Sequence, residues 1–197
     1  MNQHFDSSTI GYYDTHSEEY IRGTVDVDMT PNYELFLSHI PQGGCILDAG
    51  CGSGRDSKAF GDQGFEIVSI DACKKMVEAT TELTGKQAHL ITFQELDFRD
   101  RFDGIWACGS LLYVPMSELH DVFSRLTRSL KSHGVIYASF KLGCGERNVQ
   151  GRLFTDMNRE RVRSVFNEND TLIELNIWES DDRRPVRCDE TVFKTGG

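Results

Sequence analysis

No apolar run in the sequence approaches the roughly 18 residues needed to cross a bilayer. Its start, Met1-Asn2-Gln3-His4-Phe5-Asp6, has no basic region leading into an apolar stretch. The expectation is a cytoplasmic protein, neither exported nor membrane-bound. Positive charge is also in short supply: 21 Lys and Arg stand against 31 Asp and Glu, a formal net charge of −10. Such a balance repels phosphate backbones and sets nucleic acid aside as a partner. The six cysteines, at 45, 51, 73, 108, 144 and 188, form no C-x-x-C pair and have no histidine at ligand spacing, so reduced thiols and no metal centre are expected. Repeats, low-complexity tracts and interdomain linkers are missing too. What remains is 197 residues, 39% hydrophobic and 26% charged, which suits one globular domain over 1–197. Residues 1–42 are expected as an N-terminal helical flap and 43–197 as the core.

In the flap, Tyr12 to Arg22 reads as a short, partly exposed helix. Thr30-Pro31 looks like an N-cap followed by proline at the first helical position, with Tyr33, Phe36, Leu37 and Ile40 then recurring at helical spacing before Pro41. From Cys45 the texture changes to short apolar runs alternating with amphipathic stretches, the pattern of a parallel sheet covered by helices. The runs are 45–49, 65–71, 88–93, 103–108 and 135–140. Helices are predicted over 55–63, 74–83 and 117–131, the last capped by Ser117 and followed by Gly134. Leu172 to Glu179 and Arg187 to Phe193, separated by a charged segment with a proline, read as an antiparallel hairpin. The predicted fold is a three-layer α/β/α Rossmann-like sandwich with a mostly parallel seven-stranded sheet ending in that hairpin.

The sharpest signal is Ile46-Leu47-Asp48-Ala49-Gly50-Cys51-Gly52-Ser53-Gly54-Arg55-Asp56, an apolar strand running into closely spaced glycines and then a helix. Glycines there let a ligand approach the backbone. A dinucleotide fingerprint beginning at Gly50 would need a third glycine at position 55, where an arginine stands. Asp48 at the strand end disfavours a pyrophosphate and favours a cation. Asp71 ends the next predicted strand, where a carboxylate can accept both hydroxyls of a ribose. A ribose, no phosphate and a positive charge together describe S-adenosylmethionine.

Residues 45–140 resemble the core of the class I S-adenosylmethionine-dependent methyltransferases. The stretch Asp48 to Ser57 with Gly64-Phe65-Glu66-Ile67 is most similar to the tellurite-resistance (TehB-like) branch. The resemblance implies S-adenosyl-L-methionine as cofactor, with S-adenosyl-L-homocysteine as product. It implies Asp48, Gly50, Cys51 and Gly52 around the methionine moiety, Asp71 on the ribose with Ala72 beside it, and Gln94, Glu95 and Leu96 at the adenine. Ala107, Cys108 and Tyr113 would face the sulfonium and methyl group. Arg55 would either anchor the cofactor carboxylate or pair with Asp56 or Asp62 on the helix.

Competing motifs are weaker. Tyr137 and Lys141 match the Y-x-x-x-K pair of short-chain dehydrogenases, but that pair needs a helix, and 135–140 reads as a strand. Ala107-Cys108-Gly109-Ser110 is not the Asn/Asp-Pro-Pro-Tyr/Phe of amino-group methyltransferases acting on DNA bases and glutamine. Cys51, Cys73 and Cys108 all fall at the predicted ligand rim, but without a compact spacing motif for a soft metal. Candidates for contact with a small-molecule methyl acceptor are Tyr12, Tyr13, His16 and Tyr20 from the flap, and Lys141, Glu146, Arg147 and Arg152 from a glycine- and charge-rich segment, 143–152, read as a mobile loop. Weak catalytic candidates are His16, Tyr113, Lys141 and Arg147. The rival readings are a methyltransferase acting on a protein or tRNA, and a non-catalytic binding module. A monomer or homodimer is expected in either case.

Overall fold

The computed structural model describes residues 7–167, 173–181 and 189–196. Cys188, Leu172, Arg187 and most of the hairpin's expected connection lie outside the described residues. Five strands run parallel: β1 (Cys45–Ala49), β2 (Glu66–Asp71), β3 (His89–Leu90), β4 (Phe102–Ala107) and β5 (Leu130–Lys141). Two more, β8 (Ile173–Asp181) and β9 (Asp189–Gly196), form the expected antiparallel hairpin, so that the order across the sheet is β3-β2-β1-β4-β5-β9-β8. Five parallel strands plus the hairpin account for the sheet. β1 lies at its centre, with β2 on one side (Asp48 opposite Ser69) and β4 on the other (Asp48 opposite Trp106).

Alternation along these strands decides what faces which layer. Leu47, Ala49, Ile105, Ala107, Ile136, Ala138 and Phe140 point to one apolar core, covered by α5 (Met116–Ser129) and α6 (Arg159–Asn167). Ile46, Trp106, Val135 and Tyr137 point to the other, packed by α2 (Thr30–Leu37) and α3 (Arg55–Asp62) through Tyr33, Phe36 and Phe60. In this second core Trp106 and Tyr137 stack with ring centroids 3.7 Å apart and planes 10° from parallel. Asn32 donates to the Tyr137 hydroxyl at 3.0 Å, so the tyrosine of the Y-x-x-x-K match is a core residue on a strand.

Four expectations are corrected. The third run, read as 88–93, shortens to two strand residues, because Thr92 and Glu95 form a capping box that turns the chain into a 3₁₀ helix at 93–95. Ser117 does not cap α5, which starts at Met116. There the Met116 amide donates to Glu146 Oε1 at 2.7 Å, a carboxylate placed at the positive end of the helix. The segment read as a mobile loop is a two-stranded hairpin, β6 (Gly145–Val149) and β7 (Arg152–Asp156). Its two-residue turn holds Gln150 and Gly151 at positive φ (54° and 80°). The helix α6 that follows was not foreseen. The flap helix, α1 (Ser7–Thr24), is longer than expected, kinked at His16, and packs against α4 (Lys74–Thr84) and β7.

At Gly104 on β4 the sheet is closely covered by α2 and the residues after it: a Cβ added there would stand 2.3 Å from Ile40 Cδ1 and 2.7 Å from Phe36 Cζ. Overpacking of this kind costs about 1–3 kcal/mol. Gly104→Ala is therefore expected to lower the urea midpoint without changing the slope of the unfolding transition, and an unchanged midpoint would show that α2 is not clamped against β4.

Candidate active site

The pocket opens at the carboxyl ends of β1, β2 and β4, where open parallel sheets hold ligands. Its wall includes Gly50 and Gly52 from the β1–α3 turn, Ile70, Asp71, Ala72 and Cys73 after β2, Ile91, Thr92 and Phe93 after β3, and Gly109, Ser110 and Tyr113 after β4. Thr9, Ile10, Tyr13 and Tyr20 of α1 and Met76 of α4 complete it. The space it encloses, open solvent at its mouth included, is about 650 Å³.

The glycine turn is shaped by close approach. Gly50 has φ +89°, and a Cβ there would fall 2.4 Å from Ser110 Cβ, while Ser110 Oγ donates to the Ala49 carbonyl at 2.6 Å. The β1 and β4 ends are thus pinned together across the pocket floor. The amides of Gly50 and Cys51 both donate to the Ile70 carbonyl (2.9 Å each), that of Gly52 to Asp71 Oδ2 (3.0 Å) and that of Gly54 to the Cys51 carbonyl (2.9 Å). A phosphate-binding loop presents such amides to its ligand; here the protein itself consumes them.

Asp71 accepts the Gly52 amide on Oδ2 and the Cys73 amide on Oδ1 at 2.8 Å, one bond on each oxygen. A carboxylate has roughly four acceptor positions, so each oxygen keeps capacity for a ligand hydroxyl. Burial raises its pKa, opposed by the amides of Cys73 and Gly52. Asp48, by contrast, does not reach the wall. On the face of β1 opposite Leu47 and Ala49, it is buried under the turn and accepts from Ser57 Oγ at 2.6 Å, with Ser69 Oγ 2.7 Å beyond. Burial, reinforced by the nearby Asp56 charge and only partly offset by the Ser57 hydrogen bond, pushes its pKa up to about 8.

Arg55 takes the second of its two expected roles. Its Nε and Nη2 grip the two oxygens of Asp56 at 2.7 and 2.9 Å, while Asp56 also accepts from Trp106 Nε1 at 2.9 Å and from the Tyr33 hydroxyl. Burial and the neighbouring Asp56 charge raise the Tyr33 pKa, which keeps its proton on that bond. Cys51 is buried behind the turn, accepting from Thr80 Oγ1 at 3.3 Å, and burial raises its pKa as well.

Of the residues expected at the adenine, none forms the wall. Leu96 is core, Glu95 is turned to Thr92, and Gln94 donates to Glu118 Oε2 at 2.6 Å; Ile91, Thr92 and Phe93 stand there instead. Ala107 is buried in the core, and Cys108 sits beside Ser139 and Arg55, so Gly109 and Ser110 take the places expected of Ala107 and Cys108. Tyr113 does line the pocket, its hydroxyl hydrogen-bonded to that of Tyr13. His16 is not part of the wall: it stacks on Tyr12 (4.2 Å) with Nδ1 2.9 Å from the Tyr12 carbonyl. Lys141 is buried at the end of β5, and Arg147 pairs with Asp156 (2.5 Å) over the Phe154 ring, both away from the wall. Thr9, Ile10 and Met76 carried no polar pattern and were missed. Among the described residues no group of three or more potential metal ligands is close enough to hold an ion. No helix among them is long and apolar enough to cross a membrane.

The strand order and the pocket at the carboxyl edge of the parallel sheet define a Rossmann-like α/β fold. Residues 47–138 match the family described as a methyltransferase domain. The YqeM protein of Bacillus subtilis, provisionally named a methyltransferase, is 30% identical over 114 residues, which cover 52% of this chain and 46% of YqeM. The chain spans about half the length of the curated relatives it matches. Among solved structures, the 1,6-didemethyltoxoflavin-N1-methyltransferase of Burkholderia thailandensis, with 1,6-didemethyltoxoflavin and S-adenosylhomocysteine bound, superposes with a TM-score of 0.81 at 18% identity, over 96% of this chain and 87% of that one. The cyclase SpnF shares the fold with a TM-score of 0.75 at 14% identity, over 98% and 95% of the two chains.

The raised Asp48 pKa has a defined consequence for stability. The folded chain keeps a proton that the unfolded chain releases near pH 4, so stability falls as pH rises from about 4 to about 8 and levels off above. Melting temperatures measured across this window are expected to decline more steeply for the wild type than for Asp48→Asn. Parallel curves would place the titration elsewhere.

Proposed function

We propose that the chain is a methyltransferase that moves the methyl group of S-adenosylmethionine to a small-molecule acceptor, with the flap and core working as one domain over 1–197. The observation that carries this reading is the opposition, across one pocket, of Gly50, Gly52 and Asp71 on the sheet side and Tyr13, Tyr20 and Tyr113 on the roof side. The residues fit the cofactor chemically. Asp71 has acceptor capacity for ribose hydroxyls, Ile91, Phe93 and Met76 offer apolar surface for a base, and the amides of Gly50, Cys51, Gly52 and Gly54 are already taken by acceptors within the protein. The ligand, when bound, supplies a methyl group on a cationic sulfonium sulfur, an electrophile that an acceptor lone pair displaces in line.

The protein's part is then to position and to exclude water. Among the described residues of the wall, Asp71 is the one carboxylate, and there is no histidine or lysine. Alignment of acceptor and methyl by the tyrosine roof therefore carries the rate, and the proton lost by the acceptor leaves to solvent. A roof of side chains over the pocket supports a small acceptor rather than a protein or tRNA, in keeping with the net charge of −10. The Burkholderia neighbour, with its small heterocycle bound, supports the same choice. The resemblance of 48–57 and 64–67 to the TehB-like branch supports that branch as the finer assignment. A second reading, cofactor binding without methyl transfer, draws on the fold shared with the cyclase SpnF.

Calorimetric titration with S-adenosylmethionine, S-adenosylhomocysteine and NAD tests the cofactor. Micromolar binding of the two sulfur ligands and none of NAD is expected, and the reverse would overturn the reading. Asp71→Ala should weaken cofactor binding by about 1–3 kcal/mol through loss of charge-assisted hydrogen bonds, and unchanged affinity would move the ribose elsewhere. Release of S-adenosylhomocysteine on adding acceptors then separates the enzyme from the binding module.

A further inference from the structure

Beside the tyrosine roof stands a cation with no carboxylate partner among the described residues. Arg152, on β7, lays its guanidinium over the Tyr12 ring, 4.2 Å from the centroid, and 5.2 Å from that of Phe154. Its Nε is buried without a hydrogen-bond partner, and among the described residues it makes no ion pair; Nη2 reaches the neutral side chain of Gln150 at 3.4 Å. The neighbouring Arg147 differs on each point, being paired with Asp156. The groups that face Arg152 electrostatically are the hydroxyls of Tyr13, Tyr113 and Tyr12.

The order of these groups gives the hydrogen bonds a direction. A guanidinium only donates, and a tyrosine hydroxyl has a single proton. Either hydroxyl can donate in the Tyr13–Tyr113 bond; the guanidinium stacked on Tyr12, whose ring meets that of Tyr13 edge to face at 5.5 Å, stands on the Tyr13 side and favours Tyr13 as the donor. Tyr113 is then left with its own proton to give, and Tyr113 lines the pocket. A cation at the far end of such a chain strengthens the last donor.

We propose that Arg152, Tyr13 and Tyr113 form a polarised donor chain that selects methyl acceptors presenting an anionic oxygen on a flat apolar frame. The flat frame follows from the surface around that donor, since Tyr13 meets Tyr20 and Tyr113 edge to face, at 5.0 and 5.5 Å. Arg152 is a positioning residue here, acting through the two tyrosines rather than touching the acceptor. The inference rests on the methyltransferase reading for the word acceptor, but the anion preference of the pocket is independent of it.

The test uses benzoate and its neutral counterpart benzamide as probes, titrated into the full chain with and without S-adenosylhomocysteine. Benzoate is expected to bind the wild type about tenfold more tightly than benzamide, the size of one charge-assisted hydrogen bond over a neutral one. Arg152→Gln should erase that preference while S-adenosylhomocysteine still binds, which also shows that the variant is folded. Tyr113→Phe, which keeps the ring and removes only the donor, should erase it as well. Equal affinity for the two probes, no binding of benzoate to the wild type, or a preference that survives in both variants would overturn the proposal. Failure of S-adenosylhomocysteine to bind, with benzoate preference intact, would instead overturn the methyltransferase reading alone.

Discussion

The carboxylate of Asp56 is the point on which the sheet side of the site depends. Four donors converge on its two oxygens: Nε and Nη2 of Arg55, Nε1 of Trp106 and the hydroxyl of Tyr33. They come from α3, β4 and α2, so one buried anion ties three elements together directly under the glycine turn. Charge inside a protein is costly unless its hydrogen-bonding capacity is filled, and here it is filled from all sides. Asp56 also sits in the first turn of α3, where the helix dipole favours a negative charge. The turn is held at its helix end by this cluster and in its middle by Asp71, which takes the Gly52 amide. Between the two, Asp48, Ser57 and Ser69 form a short buried polar relay from β1 to α3 and β2.

This arrangement separates two tasks that the sequence motif runs together. Asp48 and Arg55 flank the glycines in the chain and were natural ligand candidates, yet both are turned away from the pocket to hold the turn in shape. Asp71, one strand further on, is the carboxylate on the pocket wall. The raised pKa of Asp48 follows from its place: burial disfavours its charge, and the Asp56 anion nearby adds to that.

How much was readable in the chain depends on how local the cause was. The strand–turn–helix around Gly50 was legible because short-range steric rules write it, and the two cores followed from alternation along β1, β4 and β5. The pocket wall takes 91–93 rather than the expected 94–96, three residues earlier, because β3 is so short. The Thr92-x-x-Glu95 capping pattern that ends it was visible in the sequence, and would have moved the expectation from 94–96 to 91–93. The same shift by one or two residues at β4 follows from the burial of Ala107 in the core. The β6–β7 hairpin was read as a loop since its turn uses Gln-Gly where Asn-Gly is the strong signal, and its outer strand is charged. The contributions of Thr9 and Ile10 could not be read locally, because they come from the tertiary docking of α1 on β7, made by Ser8 Oγ donating to the Gly151 carbonyl and the Leu153 amide donating to Thr9 Oγ1.

The floor of the pocket is main chain held by buried polar groups, whereas its roof is side chains on a helix and a hairpin outside the central sheet. Inheritance acts on the two halves differently. A substitution at Gly50 or Asp56 disturbs the scaffold itself, while one at Tyr20 or Arg152 changes only what the scaffold is offered. Chains built on this plan can therefore change what the pocket admits by rewriting a few roof positions, leaving the main-chain floor as a fixed inheritance beneath a fast-changing cover.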